Sequence, residues 1–191
     1  GELRGAPNME NAVEFEPKGQ RLPGLAVELW QGFIFVNASE NPKPLAPQLT
    51  EFAEKLDPWN FAELKLAGTL TYESPWNWKI LLENFMESYH HMGPHTDTLE
   101  PIYPHAGTFS EKTKGQYTLL ENPSVDEQAS ANFWVGLVFP STMFAMTRHP
   151  DAPVVGWYQM EIQSFDQFRL HIHVLVPKNI VSNKGIVDRI L

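Results

Sequence analysis

The sequence predicts an α+β domain in which a curved antiparallel sheet surrounds one long helix. Strand-like segments follow one another through the carboxyl-terminal half, whereas the segment after Pro75 has the spacing of an amphipathic helix. The chain has 191 residues, 42% of them hydrophobic, which suffices for one domain with a sizeable core. Its 16 prolines separate short apolar segments, and the sequence contains no internal repeat.

The sequence predicts little regular structure in the amino-terminal part of the chain. Residues 1–22 are polar and rich in Glu, Pro and Gly, so we expect a loop or a mobile tail. Residues 25–37 predict two β-segments that meet at Gln31 and Gly32, because β-branched and aromatic residues are frequent on both sides. Residues 46–56 predict a short amphipathic helix, which ends near Asp57 because a proline follows.

Residues 64–72 alternate as a strand and lead into the predicted long helix. After Pro75, apolar residues recur at helical spacing and form one stripe. The helix is expected to stop at His91 or Met92, since Pro94 has no N–H and disfavours a helical conformation at Gly93. The stripe consists of Trp78, Leu81, Leu82, Phe85 and Tyr89.

The downstream half predicts mainly strands, with a hairpin turn at 164–167 and a last helix over 180–191. A sheet of this kind around one helix is the arrangement of helix-grip (START/Bet v 1-like) domains. We expect its aromatic residues to fill the inner face or to line a substrate cavity. The strands are predicted over 108–120, 132–139, 143–147, 154–163 and 168–176.

Composition excludes several classes of function. Fourteen Lys and Arg against 23 Asp and Glu give a formal charge of −9, so nucleic acid is not an expected partner. With no cysteine, this chain alone cannot hold a disulfide, a thiol nucleophile, Cys-ligated zinc or an iron–sulfur cluster. Neither a membrane span nor a secretory signal is present, which predicts no membrane partner and a cytoplasmic protein.

A cluster of histidines and acids is the main functional signal. Residues 80–111 contain four of the seven histidines and five acids but neither Lys nor Arg. On a helical wheel Glu83, Glu87 and His90 lie within about 60° of one another. An ordinary solvated face is the simpler explanation of such a pattern, but a solvated helix usually pairs its acids with basic residues. The cluster consists of Glu83, Glu87, His90, His91, His95, Asp97, Glu100, His105 and Glu111.

Two of these histidines could share a metal ion. On an unbroken helix His90 and His95 would point about 140° apart. Gly93 and Pro94 break the helix between them, so both imidazoles can reach one centre. Two imidazoles and one carboxylate suit non-heme Fe(II) and oxygen chemistry, and zinc would accept the same ligands.

The string from Asn77 to His95 resembles the iron-binding segment of Rieske-type non-heme iron ring-hydroxylating oxygenases, in their α (large) subunit. That family's pattern runs Asn-Trp-Lys, Glu-Asn-Phe, an acid, Tyr-His and a second His, and every part is present here. Residues 22–37 are similar to the stretch that follows the Rieske module in those subunits. The resemblance therefore extends from about Leu22 onward.

The resemblance implies a role for several residues. His90 and His95 would be two iron ligands, and Glu87 would match the acid that links the iron site to the Rieske cluster of a neighbouring subunit. Such a carboxylate accepts an imidazole N–H and makes the other ring nitrogen a better ligand. Asn84 would support the site. In the family a carboxylate ligand comes from a later helix, and Asp188 lies too early for that position. Tyr89 matches a further motif position, where it would support the site or, as part of the apolar stripe, the core.

The resemblance also implies an activity and a domain organisation. The enzyme would hydroxylate an aromatic or other organic substrate with O2 at Fe(II), using electrons from NAD(P)H through a reductase or ferredoxin and a Rieske 2Fe–2S cluster. Residues 1–60 would be an extension and linker after a missing Rieske module, and residues 61–191 the catalytic domain, truncated at its carboxyl end. We expect a homotrimer, with weak or absent iron and no turnover in this fragment.

Other interpretations remain open at this stage. The domain could be a helix-grip module that binds an apolar small molecule without redox chemistry, its histidines being polar cavity groups. Hydrolysis at zinc is less favoured, because no general base follows the zincin spacing. His171 and His173 share one face of a predicted strand, and a polar strand face explains them better than a metal site.

Overall fold

The computed structural model describes residues 1–110, 112–125, 131–149 and 152–191. The chain forms two compact units, Gly1–Ala46 and Pro47–Leu191. Within the described residues, no helix combines the length and hydropathy that a membrane span requires. The candidate site lies entirely within the second unit.

The first unit is built on an antiparallel hairpin of β1 (Ala26–Trp30) and β2 (Phe33–Asn37). The turn residues Gln31 and Gly32 both have positive φ, which suits a two-residue hairpin turn and confirms the two predicted segments. Residues 1–22 form turns rather than a free tail, because the backbone N–H of Leu22 donates to the carbonyl of Gly1 at 2.8 Å.

The second unit has an α+β composition, as predicted. It begins with 3₁₀ turns around one helix, continues through a strand and a second helix to six further strands, and ends in two short helices. The helices and strands are α1 (Thr50–Leu56), β3 (Leu64–Ser74), α2 (Trp78–Phe85), β4 (Phe109–Ser110), β5 (Tyr117–Asn122), β6 (Phe133–Val138), β7 (Thr142–His149), β8 (Ala152–Ser164), β9 (Gln167–Pro177), α3 (Lys178–Val181) and α4 (Lys184–Ile190). The 3₁₀ turns are Ala46–Leu49, Asp57–Trp59, Phe61–Glu63, Tyr89–Met92 and His105–Gly107.

Seven strands form one antiparallel sheet in the order β3-β9-β8-β7-β6-β5-β4. The predicted hairpin between β8 and β9 is confirmed, with Ser164 paired to Gln167. Two expectations were too simple. The strand predicted over 108–120 is divided into β4 and β5, and the helix predicted over 180–191 is divided into α3 and α4.

One face of the sheet carries α1 and the 3₁₀ turns that follow it. Phe61 packs edge-on against the fully buried Phe144 of β7, with ring centroids 5.3 Å apart. Phe52 of α1 stacks on Tyr117 of β5 at 4.9 Å. Gly136 allows this approach, because a Cβ there would lie 2.8 Å from the Phe52 ring. Two of the largest fully buried side chains, Phe52 and Phe144, are therefore on this face.

The opposite face carries α2. Tyr158 follows Trp157, the partner of Phe144 in the register, so Tyr158 projects from the other side of the sheet. Phe85 of α2 packs on Tyr158 with ring centroids 4.7 Å apart. Just before α2, Trp76 packs edge-on against the buried Phe168 of β9.

A polar ladder crosses β3, β9 and β8 on the face away from α2. The Nδ1 atoms of His171 and His173 are hydrogen-bonded to threonine hydroxyls of β3. The distances are 3.1 Å for His171 and 3.0 Å for His173. Their Nε2 atoms meet Glu161 at 3.4 Å and Gln159 at 3.0 Å on β8. Both rings are therefore engaged at both nitrogens, as a polar strand face requires.

Candidate metal centre

The helix that carries the motif is shorter than the prediction. Asn77 caps α2, since its side-chain oxygen accepts the backbone N–H of Lys79 at 2.9 Å. The helix ends at Phe85 rather than at His91 or Met92, and a 3₁₀ turn over Tyr89–Met92 follows. Side chains next to the helix end bind backbone groups outside the helix, which favours this break. The carboxylate of Glu87 accepts the backbone N–H of His90 at 3.2 Å.

This break corrects two expectations from the helical wheel. Glu83, Glu87 and His90 do not share one helical face, because only Glu83 lies within α2. Tyr89 does not belong to the apolar stripe of α2 either, since its side chain is 75% exposed, and the rest of that stripe is half-buried. Glu87 and His90 are instead brought together by local hydrogen bonds between them.

Glu87 and His90 form a short, two-point contact. Oε1 of Glu87 lies 2.7 Å from Nδ1 of His90, and Oε2 accepts the backbone N–H of the same residue. Asn84, at the end of α2, donates its side-chain amide to Oε1 of Glu87 at 3.1 Å. A carboxylate only accepts, so Nδ1 of His90 carries a hydrogen and Nε2 is the nitrogen left to bind a metal.

The structure brings His90 and His95 together, as the break at Gly93 and Pro94 predicts. Their ring centroids are 5.3 Å apart with an interplanar angle of 67°. Two imidazoles on one ion, each with a metal–nitrogen distance of about 2.1 Å, would have centroids roughly 5 Å apart. Nδ1 of His95 is 3.1 Å from the hydroxyl of Thr98, so its Nε2 also remains available.

The surroundings of His95 favour the form that binds metals. Burial lowers the pKa of the His95 imidazole, and the neighbouring rings of His90 and His91 lower it further. A lower pKa keeps the imidazole neutral over a wider pH range, and only the neutral ring has a lone pair for a metal.

His91 belongs to the same group of rings, although the sequence reasoning gave it no role. Its centroid lies 5.0 Å from that of His90 and 6.1 Å from that of His95. The side chain is buried, and Nδ1 is 2.9 Å from the carbonyl of Tyr103. That partner is twelve residues away, so no local pattern could have revealed the contact.

His105 pairs with Glu100 in the same way that His90 pairs with Glu87. Oε1 of Glu100 is 2.7 Å from Nδ1 of His105, and Oε2 accepts its backbone N–H at 3.1 Å. The hydrogen bond from His105 is the main cause that lowers the pKa of the Glu100 carboxyl. The fourth histidine of the cluster is thus part of a second carboxylate–imidazole pair.

The described part of the chain supplies only part of a metal ligand set. Within it, no group of three His, Cys, Asp or Glu side chains is placed to hold one ion. Asp188 is exposed on α4, and Glu83 and Asp97 are exposed as well. Glu111 lies outside the described residues. Two neutral imidazoles fit two of the three protein ligands of a mononuclear Fe(II) site, whose third is a carboxylate.

Comparison with known proteins identifies the family. The model of the family "Ring hydroxylating alpha subunit (catalytic domain)" matches residues 61–187. The carnitine monooxygenase oxygenase subunit of Acinetobacter pittii is 30% identical over 158 residues, which cover 75% of this chain and 41% of that protein. The glycine betaine monooxygenase oxygenase subunit of Pseudomonas aeruginosa is 29% identical over 93 residues, covering 49% and 22%.

A solved structure gives the same result. The quaternary ammonium Rieske monooxygenase CntA in complex with γ-butyrobetaine is 27% identical, with a TM-score of 0.65. The match covers 92% of this chain and 47% of that one, so the chain spans less than half the length of each of these relatives. The helix-grip fold expected from the sequence is that of Rieske oxygenase catalytic domains, and it is confirmed. The chain belongs to the ring-hydroxylating oxygenase α-subunit family, which it matches in the catalytic domain.

Proposed function

We propose that the intact enzyme hydroxylates a quaternary ammonium compound with O2 at a mononuclear Fe(II) centre held by His90 and His95. Catalytic domains of this family bind mononuclear Fe(II), and the Rieske cluster lies in a separate amino-terminal domain. The observation that carries the proposal is the 5.3 Å approach of the two rings, whose Nδ1 atoms both have other partners.

Each residue of the site has a distinct part in this proposal. His90 and His95 would hold the iron through Nε2 and leave its other face open. Glu87 fixes the His90 ring through Nδ1, and Asn84 orients the Glu87 carboxylate. Bound iron would supply the activation of O2. Within the described residues no third His, Asp or Glu side chain joins this pair, and such a site adds a carboxylate.

The relatives and the charge of the site support this substrate class. The relatives' names specify carnitine and glycine betaine, both quaternary ammonium compounds, and give no support to the aromatic substrate that the family resemblance implies. Residues 80–110 contain four acids and neither Lys nor Arg. A region with this charge attracts cations. In this proposal the rings of Phe85 and Tyr158, whose centroids are 4.7 Å apart, would contact the quaternary nitrogen of the substrate.

The proposal extends to the intact assembly. Electrons would come from NAD(P)H through a reductase or ferredoxin and a Rieske cluster, with Glu87 as the link to the cluster of a neighbouring subunit in a homotrimer. Residues 1–60 would connect a Rieske module to the catalytic domain at 61–191. The need for NAD(P)H favours a cytoplasmic location.

Metal binding by the chain tests the iron site. We would titrate the chain anaerobically with Fe(II) and measure bound iron after gel filtration. His90→Ala and His95→Ala should each reduce the bound iron strongly, whereas His171→Ala on the polar ladder should not. If the wild-type chain binds iron and the first two variants bind as much, the assignment is refuted and a binding module without redox chemistry is supported.

Ligand binding tests the substrate class separately. Calorimetric titration of the chain with glycine betaine and carnitine should give measurable binding. A neutral analogue, in which carbon replaces the quaternary nitrogen, should bind more weakly because it lacks the cation–π and charge attraction. Equal affinity for the neutral analogue would contradict the quaternary ammonium assignment while leaving the iron assignment intact.

A further inference from the structure

His91 is a buried histidine at the centre of the site, and the proposed function gives it no task. Its side chain is 3% exposed, and it lies in the 3₁₀ turn between His90 and the break at Gly93. Burial of an imidazole is costly unless its polar atoms find partners. Its Nδ1 atom has such a partner, the carbonyl oxygen of Tyr103 at 2.9 Å.

This hydrogen bond determines the tautomer of His91. A carbonyl oxygen can only accept, so Nδ1 of His91 must carry the hydrogen. The acceptor is itself held in place, because Tyr103 is buried and its backbone N–H donates to the carbonyl of Leu99 at 2.7 Å. The bond thus ties the turn that presents His90 to a fixed peptide group.

The ring of His91 also contacts both candidate ligands. It stands nearly perpendicular to His90, at 85°, and to His95, at 90°. Edge-to-face contacts of this kind restrict the rotation of the rings they touch. His91 therefore lies against both imidazoles, although they are on opposite sides of the break.

The three rings follow one pattern, in which each Nδ1 atom has a different partner. His90 meets the carboxylate of Glu87, His91 the carbonyl of Tyr103, and His95 the hydroxyl of Thr98. We propose that His91 is a positioning residue, whose hydrogen bond to Tyr103 holds the turn that orients His90 and His95. The consequence for metal affinity rests on the proposed function, whereas the consequence for ring order does not.

Two substitutions separate the hydrogen bond from the volume of the side chain. His91→Asn places an amide N–H near the position of Nδ1 and can still donate to Tyr103. His91→Leu fills a similar volume but has no donor. If the hydrogen bond positions the rings, the Asn variant should resemble the wild-type chain and the Leu variant should not.

NMR of the metal-free chain tests the positioning directly. Long-range nitrogen–proton spectra should show the Nδ1–H tautomer for His91. The ring signals of His90 and His95 should each be single and sharp in the wild-type chain and in His91→Asn, and broadened or multiple in His91→Leu. An Nε2–H tautomer of His91, or ring signals that His91→Leu leaves unchanged, would overturn the proposal.

Titration with Co(II), followed by its visible absorption, tests the consequence for metal binding. Loss of a group that orients a metal ligand weakens metal affinity by about 10–100-fold, which we expect for His91→Leu but not for His91→Asn. Equal losses in both variants, with the fold intact by circular dichroism, would refute the role of the hydrogen bond. If His91→Leu does not fold, His91→Asn decides alone, since disordered rings in that folded variant would overturn the proposal. If the wild-type chain does not bind Co(II), which agrees with its incomplete ligand set, the NMR result alone decides the role of His91.

Discussion

Replacing Glu87 by glutamine should weaken metal binding through the orientation of His90. Two of the three hydrogen bonds of the Glu87 carboxylate go to His90, at 2.7 and 3.2 Å. A hydrogen bond to a charged group contributes roughly 1.5–3 kcal/mol, and solvent screens part of it because the Glu87 side chain is 38% exposed. Glutamine keeps a neutral hydrogen bond, so we expect a loss of about 1.4 kcal/mol, or about tenfold in affinity.

The assay is an anaerobic calorimetric titration of the chain with Co(II), with the fold of each variant verified by circular dichroism. Glu83→Gln is the matched control, because it removes the same charge from an exposed position on α2. A long-range effect of charge would weaken both variants equally, whereas the local hydrogen bond predicts a loss in Glu87→Gln alone. Equal affinities of the two variants would refute the assigned role of the Glu87–His90 contact.

Three further predictions concern stability and titration. Gly136→Ala should reduce the free energy of unfolding by about 1–3 kcal/mol in thermal denaturation, because the new Cβ would lie 2.8 Å from the ring of Phe52. Asn77→Ala should cost about 1 kcal/mol in urea denaturation, because the side chain caps α2. His105→Ala should raise the pKa of the Glu100 carboxyl toward its ordinary value in an NMR titration. The folded-state pKa is the lower one, so this pair stabilises the fold above the unfolded-state pKa of Glu100. Its contribution is lost as the pH falls through the folded-state pKa.

A specific result would contradict each of these predictions. Gly24→Ala places its Cβ in open space and should change stability by no more than about 0.5 kcal/mol, so an equal loss there would remove the steric explanation. Asn77→Asp keeps the capping oxygen but not the bond from the side-chain amide to the carbonyl of Phe165. If Asn77→Asp loses as much stability as Asn77→Ala, the effect belongs to the hydrogen bond with Phe165 and not to the cap. An unchanged pKa of Glu100 in His105→Ala would contradict the stated cause of its shift.

The strands could be predicted because their signal is local. Alternation and β-branched residues mark β8 and β9, and the turn at 164–167 is short. The end of α2 could not be predicted in the same way. Apolar spacing continues to Tyr89, but the hydrogen bond that the Glu87 carboxylate accepts from the backbone N–H of His90 competes with the helix after Phe85.

The histidine pair could be predicted because its cause is also local. Gly93 and Pro94 break the chain between His90 and His95, and the rings meet as that break requires. The place of His91 depends instead on the carbonyl of Tyr103, which becomes a neighbour only when the chain folds. Spacing in a sequence indicates which side chains can meet, but it contains no information about backbone acceptors supplied by a later segment.

The polar ladder on β9 has a consequence for the helix on the other side of the sheet. Side chains alternate along a strand, so a slip of β9 by one residue would bring His171 and His173 to the side facing α2 and expose Phe168. Such a slip would leave four ring nitrogens without hydrogen-bond partners among apolar neighbours, which makes it unfavourable. Phe168 in turn supports Trp76 immediately before the cap of α2. The row of hydrogen bonds on β9 thus favours the register in which Phe168 supports Trp76 beside the start of α2.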